Sequence, residues 1–206
     1  MGGIFNFDGP LFSFLEKCVN IVILNILFII CSIPVFTIGA SMTALYYMML
    51  KLSAGEEGYI VKGFFKSFRE NFRQSTLIWL IMLAIAVIFR VDFYAVNSMG
   101  ATGFSNILRI ALMALLLVWF LELSYVFPIL AKFDNSIKET MKNALAMAIA
   151  SLPQTAIIFL IWCAAGFIEY IFFWRAIPFI LIVGFAGPAY LSAFIFRKVF
   201  AKYVAE

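Results

Sequence analysis

The chain has 206 residues, of which 65% are hydrophobic and 13% charged, with a formal net charge of +4. Soluble domains are about half apolar and about a quarter charged. A water-soluble fold is therefore excluded, and the chain reads as a single all-α integral membrane domain over residues 1–206, with about six spans. The absence of histidine removes the usual imidazole acid–base group. No Walker sequence, G-x-S-x-G elbow, zinc-ligand set or dinucleotide fingerprint occurs. No enzymatic activity, cofactor or metal is expected. The basic balance lacks the motif or stripe of a nucleic-acid binder, so no nucleic acid is expected and the partner in view is the lipid bilayer. Cys18, Cys31 and Cys163 lie in or beside apolar runs without ligand spacing and read as buried structural thiols. The N-terminus has neither the basic region nor the cleavage pattern of a secretory leader.

Asp8-Gly9-Pro10 marks a helix start, with Asp8 as cap. The first helix then runs from about Leu11 to Cys31. Asn20 and Asn25 lie within it, and an amide in hydrocarbon needs a partner, usually on another helix. Pro34 interrupts, since it has no N–H and biases Ile33 away from helical angles. Small residues follow, among them Thr37, Gly39, Ser41 and Ala44, and these suit close packing at the centre of a bundle. The largely apolar stretch from Leu11 to Leu50 is 40 residues long. One span needs about 20, so two spans fit with a tight turn around Ser32 to Val35. One span followed by a re-entrant segment is the alternative.

Between Lys51 and Arg73, aromatic residues such as Phe64, Phe68 and Phe72 recur every three to four positions. Lys62, Lys66, Arg69 and Arg73 fall mostly on the other face. This predicts an amphipathic helix at the interface, either anchoring the chain or docking a cytoplasmic partner. Apolar runs follow at about Thr76–Val91, Ile107–Pro128, Ala144–Ile168 and Ala176–Phe196. The last holds Pro178, Gly184, Gly187 and Pro188, which predict a kink. With six spans and both ends cytoplasmic, only Arg90, Arg109 and Arg175 of the 15 basic residues fall outside. That bias orients the chain. A five-span chain with its N-terminus outside moves only Lys17 across.

Phe64–Gln74 and Phe133–Asn143 align at an offset of 69, pairing Ser67 with Ser136, Arg69 with Lys138 and Arg73 with Lys142. Each is basic and amphipathic and each feeds a span. A parallel repeat is one reading, and shared interface chemistry is the other. Lys66, Arg69, Arg73, Lys138 and Lys142 are thus the candidate docking residues. Glu122, in L-L-L-V-W-F-L-E-L-S-Y-V-F-P, is the most unusual residue. A carboxyl at that depth is neutral, paired or wet. It marks either a polar cavity shared with Asn20 and Asn25, or a structural contact: a hydrogen bond to an asparagine or serine of another span, or a salt bridge to an interface lysine. Arg90 with Asp92, and Glu169 with Arg175, read as snorkelling charges with local pairing. The tryptophans read as interface or packing aromatics.

Several stretches in order resemble the YesL-like bacterial membrane proteins, a family of unknown function. They are F-N-F-D-G-P-L-F near the N-terminus, Asn25 before I-C-S-I-P-V-F-T-I-G-A-S-M-T-A-L-Y-Y, F-F-K-S-F-R-E-N-F-R-Q-S-T from Phe64, and Y-V-F-P-I-L-A-K-F from Tyr125. The resemblance implies a multi-pass protein of a Gram-positive plasma membrane. Through gene neighbourhood, it also implies an accessory role in carbohydrate uptake beside ABC-type sugar importers, with transport-complex subunits as partners. It carries over no catalytic or binding residue. An independent small-solute transporter or channel around Glu122 is the alternative function, and a membrane sensor or regulator a further one.

Overall fold

The structure is a computed structural model that describes residues 10–56, 58–100, 102–171 and 177–204. The expected Asp8 cap lies outside the described residues. Helix α1 (Pro10–Ser32) begins at the proline, whose missing N–H costs nothing in a first turn. The chain turns through Ile33 and Pro34 and a 3₁₀ turn (Val35–Thr37) into α2 (Ile38–Ala54). Gly55, at φ +75°, ends α2, and the Glu56 amide donates to the Lys51 carbonyl. That left-handed position is one that glycine alone adopts freely. Helix α3 is Ile60–Ser98, α4 Gly103–Lys132, α5 Ile137–Ala150 and α6 Leu152–Ile171. After a short turn, α7 (Ile177–Phe179), a π-helical segment (Ile180–Gly184) leads into α8 (Ala186–Val204).

Among the described residues, six helical stretches are long and apolar enough to cross a membrane: Ser13–Ser32, Val35–Ala54, Ile60–Ser98, Gly103–Lys132, Leu152–Ile171 and Ile180–Tyr203. The protein is a six-span all-α bundle. The apolar N-terminal region is a turn-and-return pair of helices, not a single span with a re-entrant segment. Helix α2 is the buried centre, with α3, α4, α8 and α1 packed around it. An aromatic ladder ties its lower half to α4 and α8. Phe196 meets Tyr46 and Tyr125 edge-on at 5.6 and 5.1 Å, and stacks on Phe200, which meets Phe133. Large apolar side chains such as Phe14, Ile110, Leu117 and Leu181 point outward. Patches of that extent belong against lipid.

Three boundaries differ from those the sequence suggests. The first amphipathic segment is no separate interface helix. It is the start of α3, which has 39 residues and is roughly 58 Å long, far more than the hydrocarbon core of about 30 Å. Its charged first four turns therefore project beyond that core. The apolar run from Ala144 is broken at Ser151, because Pro153 lacks an amide and crowds the carbonyl four residues back. Residues 144–150 thus belong to α5. Helix α4 begins at Gly103, capped by reciprocal Thr102–Ser105 hydrogen bonds, and passes through Pro128 to Lys132. Residues 125–130 are all buried there, and packing on both sides of the proline overrides its helix-breaking tendency. Cys163 is exposed, in contrast to the burial expected of the thiols, and Cys18 and Cys31 are half-buried.

Candidate functional site

The π-helical segment leaves backbone groups without helical partners, which hydrocarbon does not tolerate. Asn25 supplies them. Its amide nitrogen donates to the carbonyls of Ile180 and Leu181, both at 2.8 Å. Its amide oxygen accepts from the N–H groups of Phe185 and Ala186, at 3.0 and 2.9 Å. The side chain thus inserts into the rung that would join Leu181 to Phe185 in a regular helix, and fills its whole hydrogen-bonding capacity. It is 0% exposed. Phe28, one turn on, packs its ring 5.0 Å from that of Phe185. Glu169 of α6 lies on the other side of the break. A Cβ added at Gly184 would sit 2.9 Å from its Oε1. The partner suggested for Glu169, Arg175, lies outside the described residues.

The segment after Pro34 packs as closely as its small residues permit. A Cβ at Gly39 would overlap the Ser75 carbonyl oxygen and lie 2.7 Å from the Trp79 Cβ. Thr43 and Ser75 share a buried hydrogen bond of 2.9 Å, and Ser41 and Ala44 are fully buried. Thr37 Oγ1 reaches back to the carbonyls of Cys31 and Pro34, at 2.5 and 2.6 Å. The Trp79 indole N–H donates to the Val35 carbonyl at 2.8 Å. Trp79 is therefore a packing aromatic that fastens the α1–α2 turn to α3.

Glu122, Asn20 and Asn25 are not brought together. Asn25 is fully used at the helix break. Glu122 and Asn20 are half-buried, and among the described residues neither side chain has a hydrogen-bond or ion-pair partner. Arg90 and Asp92 are likewise unpaired among the described residues, against the local pairing the sequence suggests, because residues two apart on a helix do not face each other. An apolar cavity of about 440 Å³ between α2, α3, α4 and α6 is walled by aromatics such as Tyr46, Trp79 and Trp162 and excludes Glu122.

The two basic segments do come together. Gln74 Nε2 of α3 donates to the Asn135 carbonyl just before α5, at 2.6 Å. Glu70, Arg73, Gln74, Leu77, Ser136 and Ile137 line one shallow groove. Helix α5 starts with a capping box. The Ser136 amide and hydroxyl donate to Glu139 Oε2 at 2.9 and 2.7 Å, and the Glu139 amide returns a bond to Ser136 Oγ. These bonds hold the Glu139 carboxyl below its ordinary range. Phe64 is buried and stacks on Phe68, while Lys66, Arg69, Arg73, Lys138 and Lys142 are exposed. Lys66 is 4.0 Å from Glu70, an exposed pair of small energetic weight. Sequence reasoning missed Gln74 and the Asn135 carbonyl, since a side chain bonding the backbone of another element has no local signature. Among the described residues, no group of three or more potential metal ligands gathers.

Residues 21–93 match the family model described as "Protein of unknown function, DUF624". The chain is also 27% identical over 151 residues to "Uncharacterized protein YteU" of Bacillus subtilis (strain 168), covering 71% of this chain and 67% of that protein. No solved structure matches.

Proposed function

We propose that this chain, a member of the DUF624, YesL-like family of bacterial multi-pass membrane proteins, is an accessory subunit that docks a partner on its basic face. The observation that carries this reading is the Gln74–Asn135 bond, which makes one surface of the start of α3 and the start of α5. Lys66, Arg69, Arg73, Lys138 and Lys142 are exposed on these two elements. The offset of 69 between the two segments supports reading them as copies of one docking element. Twelve of the 15 basic residues fall on the side that carries both chain ends, which supports a cytoplasmic face by the positive-inside rule. The partner class is that implied by the family resemblance, a subunit of an ABC-type sugar importer. Electrostatic complementarity of this kind sets orientation and association rate.

The test is co-purification of the tagged protein with importer subunits from its own membrane. Replacing Lys66, Arg69 and Arg73 by glutamate lowers recovery of the partner about tenfold or more at moderate salt, while the fold, followed by melting in detergent, persists. Unchanged recovery removes the docking face from the mechanism. Solute flux through liposomes holding only this protein, lost on Glu122→Gln, would replace the accessory reading with that of an independent transporter.

A further inference from the structure

A second basic feature lies apart from the docking face. A cavity of about 430 Å³ opens between the C-terminal parts of α2, α4 and α8. Lys51, Lys132 and Arg197 line it, one from each helix, and Tyr47, Leu50 and Phe200 give it apolar walls. Arg197 is fixed by a hydrogen bond to the Ser53 carbonyl, which leaves the rest of its five guanidinium donors for other acceptors. The carboxylate at this cavity is Glu56, 3.9 Å from Lys51 Nζ and largely exposed. Lys132 and Arg197 have no carboxylate partner among the described residues.

Last-turn lysines offset the negative end of a helix dipole, and Lys51 and Lys132 do so for α2 and α4. That role does not account for the whole set. Among the described residues, three full cations face one carboxylate and two helix ends worth about half a charge each, which leaves an excess of positive charge. We propose that it binds a phosphate-bearing anion, with Arg197 offering a planar donor fork and Lys51 and Lys132 closing on the remaining oxygens. The bound phosphate takes Lys51 from Glu56, which stays in water. Two sources share this chemistry, the headgroup of an anionic phospholipid and free phosphate. Basic hollows between spans at the cytoplasmic surface suit the first.

The experiment follows melting of the full-length protein in neutral detergent at fixed ionic strength. Phosphatidylglycerol, phosphatidylcholine and inorganic phosphate are titrated separately. Phosphatidylglycerol raises the melting temperature and phosphatidylcholine does not. Lys132→Gln weakens the effect about tenfold, Lys51→Gln does so independently, and Lys66→Gln on the docking face leaves it intact. A rise with inorganic phosphate identifies the free anion as the ligand, and a rise with phosphatidylglycerol alone identifies the lipid. Equal behaviour of phosphatidylglycerol and phosphatidylcholine with no response to phosphate overturns the proposal. So does wild-type affinity in both Lys132→Gln and Lys51→Gln.

Discussion

Two of the helix breaks in the bundle solve one problem in opposite ways. At Pro34 the chain repairs itself, since Thr37, three residues on, shares its one hydroxyl proton between the carbonyls of Cys31 and Pro34. At Ile180–Gly184 the repair comes from 155 or more residues away, through Asn25. The first break is a connector, with Ile33 to Phe36 exposed in the turn. The second lies within the last span, with Leu181 and Ile182 exposed and Gly184 and Ala186 buried, and without α1 its backbone would face hydrocarbon unpaired. A locally repaired break can form before the tertiary structure exists. A remotely repaired one makes the shape of the last span conditional on docking of the first. The break at Ser151 is intermediate. Thr155 covers the carbonyls of Ala148 and Ser151, and Tyr125 of α4 adds a bond of 2.8 Å to the same hydroxyl.

The sharpest way to break this contrast is Asn25→Leu, which keeps the volume and strands four backbone groups. It costs on the order of 3 kcal/mol or more, read as a fall in melting temperature and as new protease sensitivity around residues 180–186. A mutant melting like the wild type would show that the π segment needs no remote partner. Gly39→Leu comes next. It drives a side chain into the Ser75 carbonyl and Trp79 and costs about 2–3 kcal/mol by overpacking. Full stability in that variant would mean that the α2–α3 seam opens freely. The smallest effect is that of Thr37→Val, about 1 kcal/mol, because two carbonyls at an exposed turn are within reach of water or headgroups. If Thr37→Val costs as much as Asn25→Leu, the distinction between local and remote repair fails.

Much of the frame was legible in the residues. Composition gives the membrane, and Pro34 gives the break in the first apolar stretch. Asn25 was readable as an interhelical contact, since an amide in hydrocarbon must find a partner. That its partner is backbone was not readable, because nothing near Ile180 marks an unsatisfied rung. Pro153 and Pro128 illustrate the same limit. Both are prolines in apolar runs, yet one ends a helix and the other lies inside one. The difference lies in the packing around residues 125–130. Glu122 drew notice by its rarity alone, and rarity carries no information about which neighbours a side chain meets.

What the sequence determined by itself is therefore the solvent, the break at Pro34 and the amphipathic character of two basic segments, while the choice between five and six spans fell to the structure. These follow from hydropathy, proline stereochemistry and helical periodicity, all of which act within a few turns of chain. Only the tertiary structure decided that Asn25 completes the last span, that Gly39 lies against Ser75, and that the two basic segments meet through Gln74 and Asn135. Each of these is a contact between elements distant in sequence. Its energy depends on geometry that no local stretch encodes.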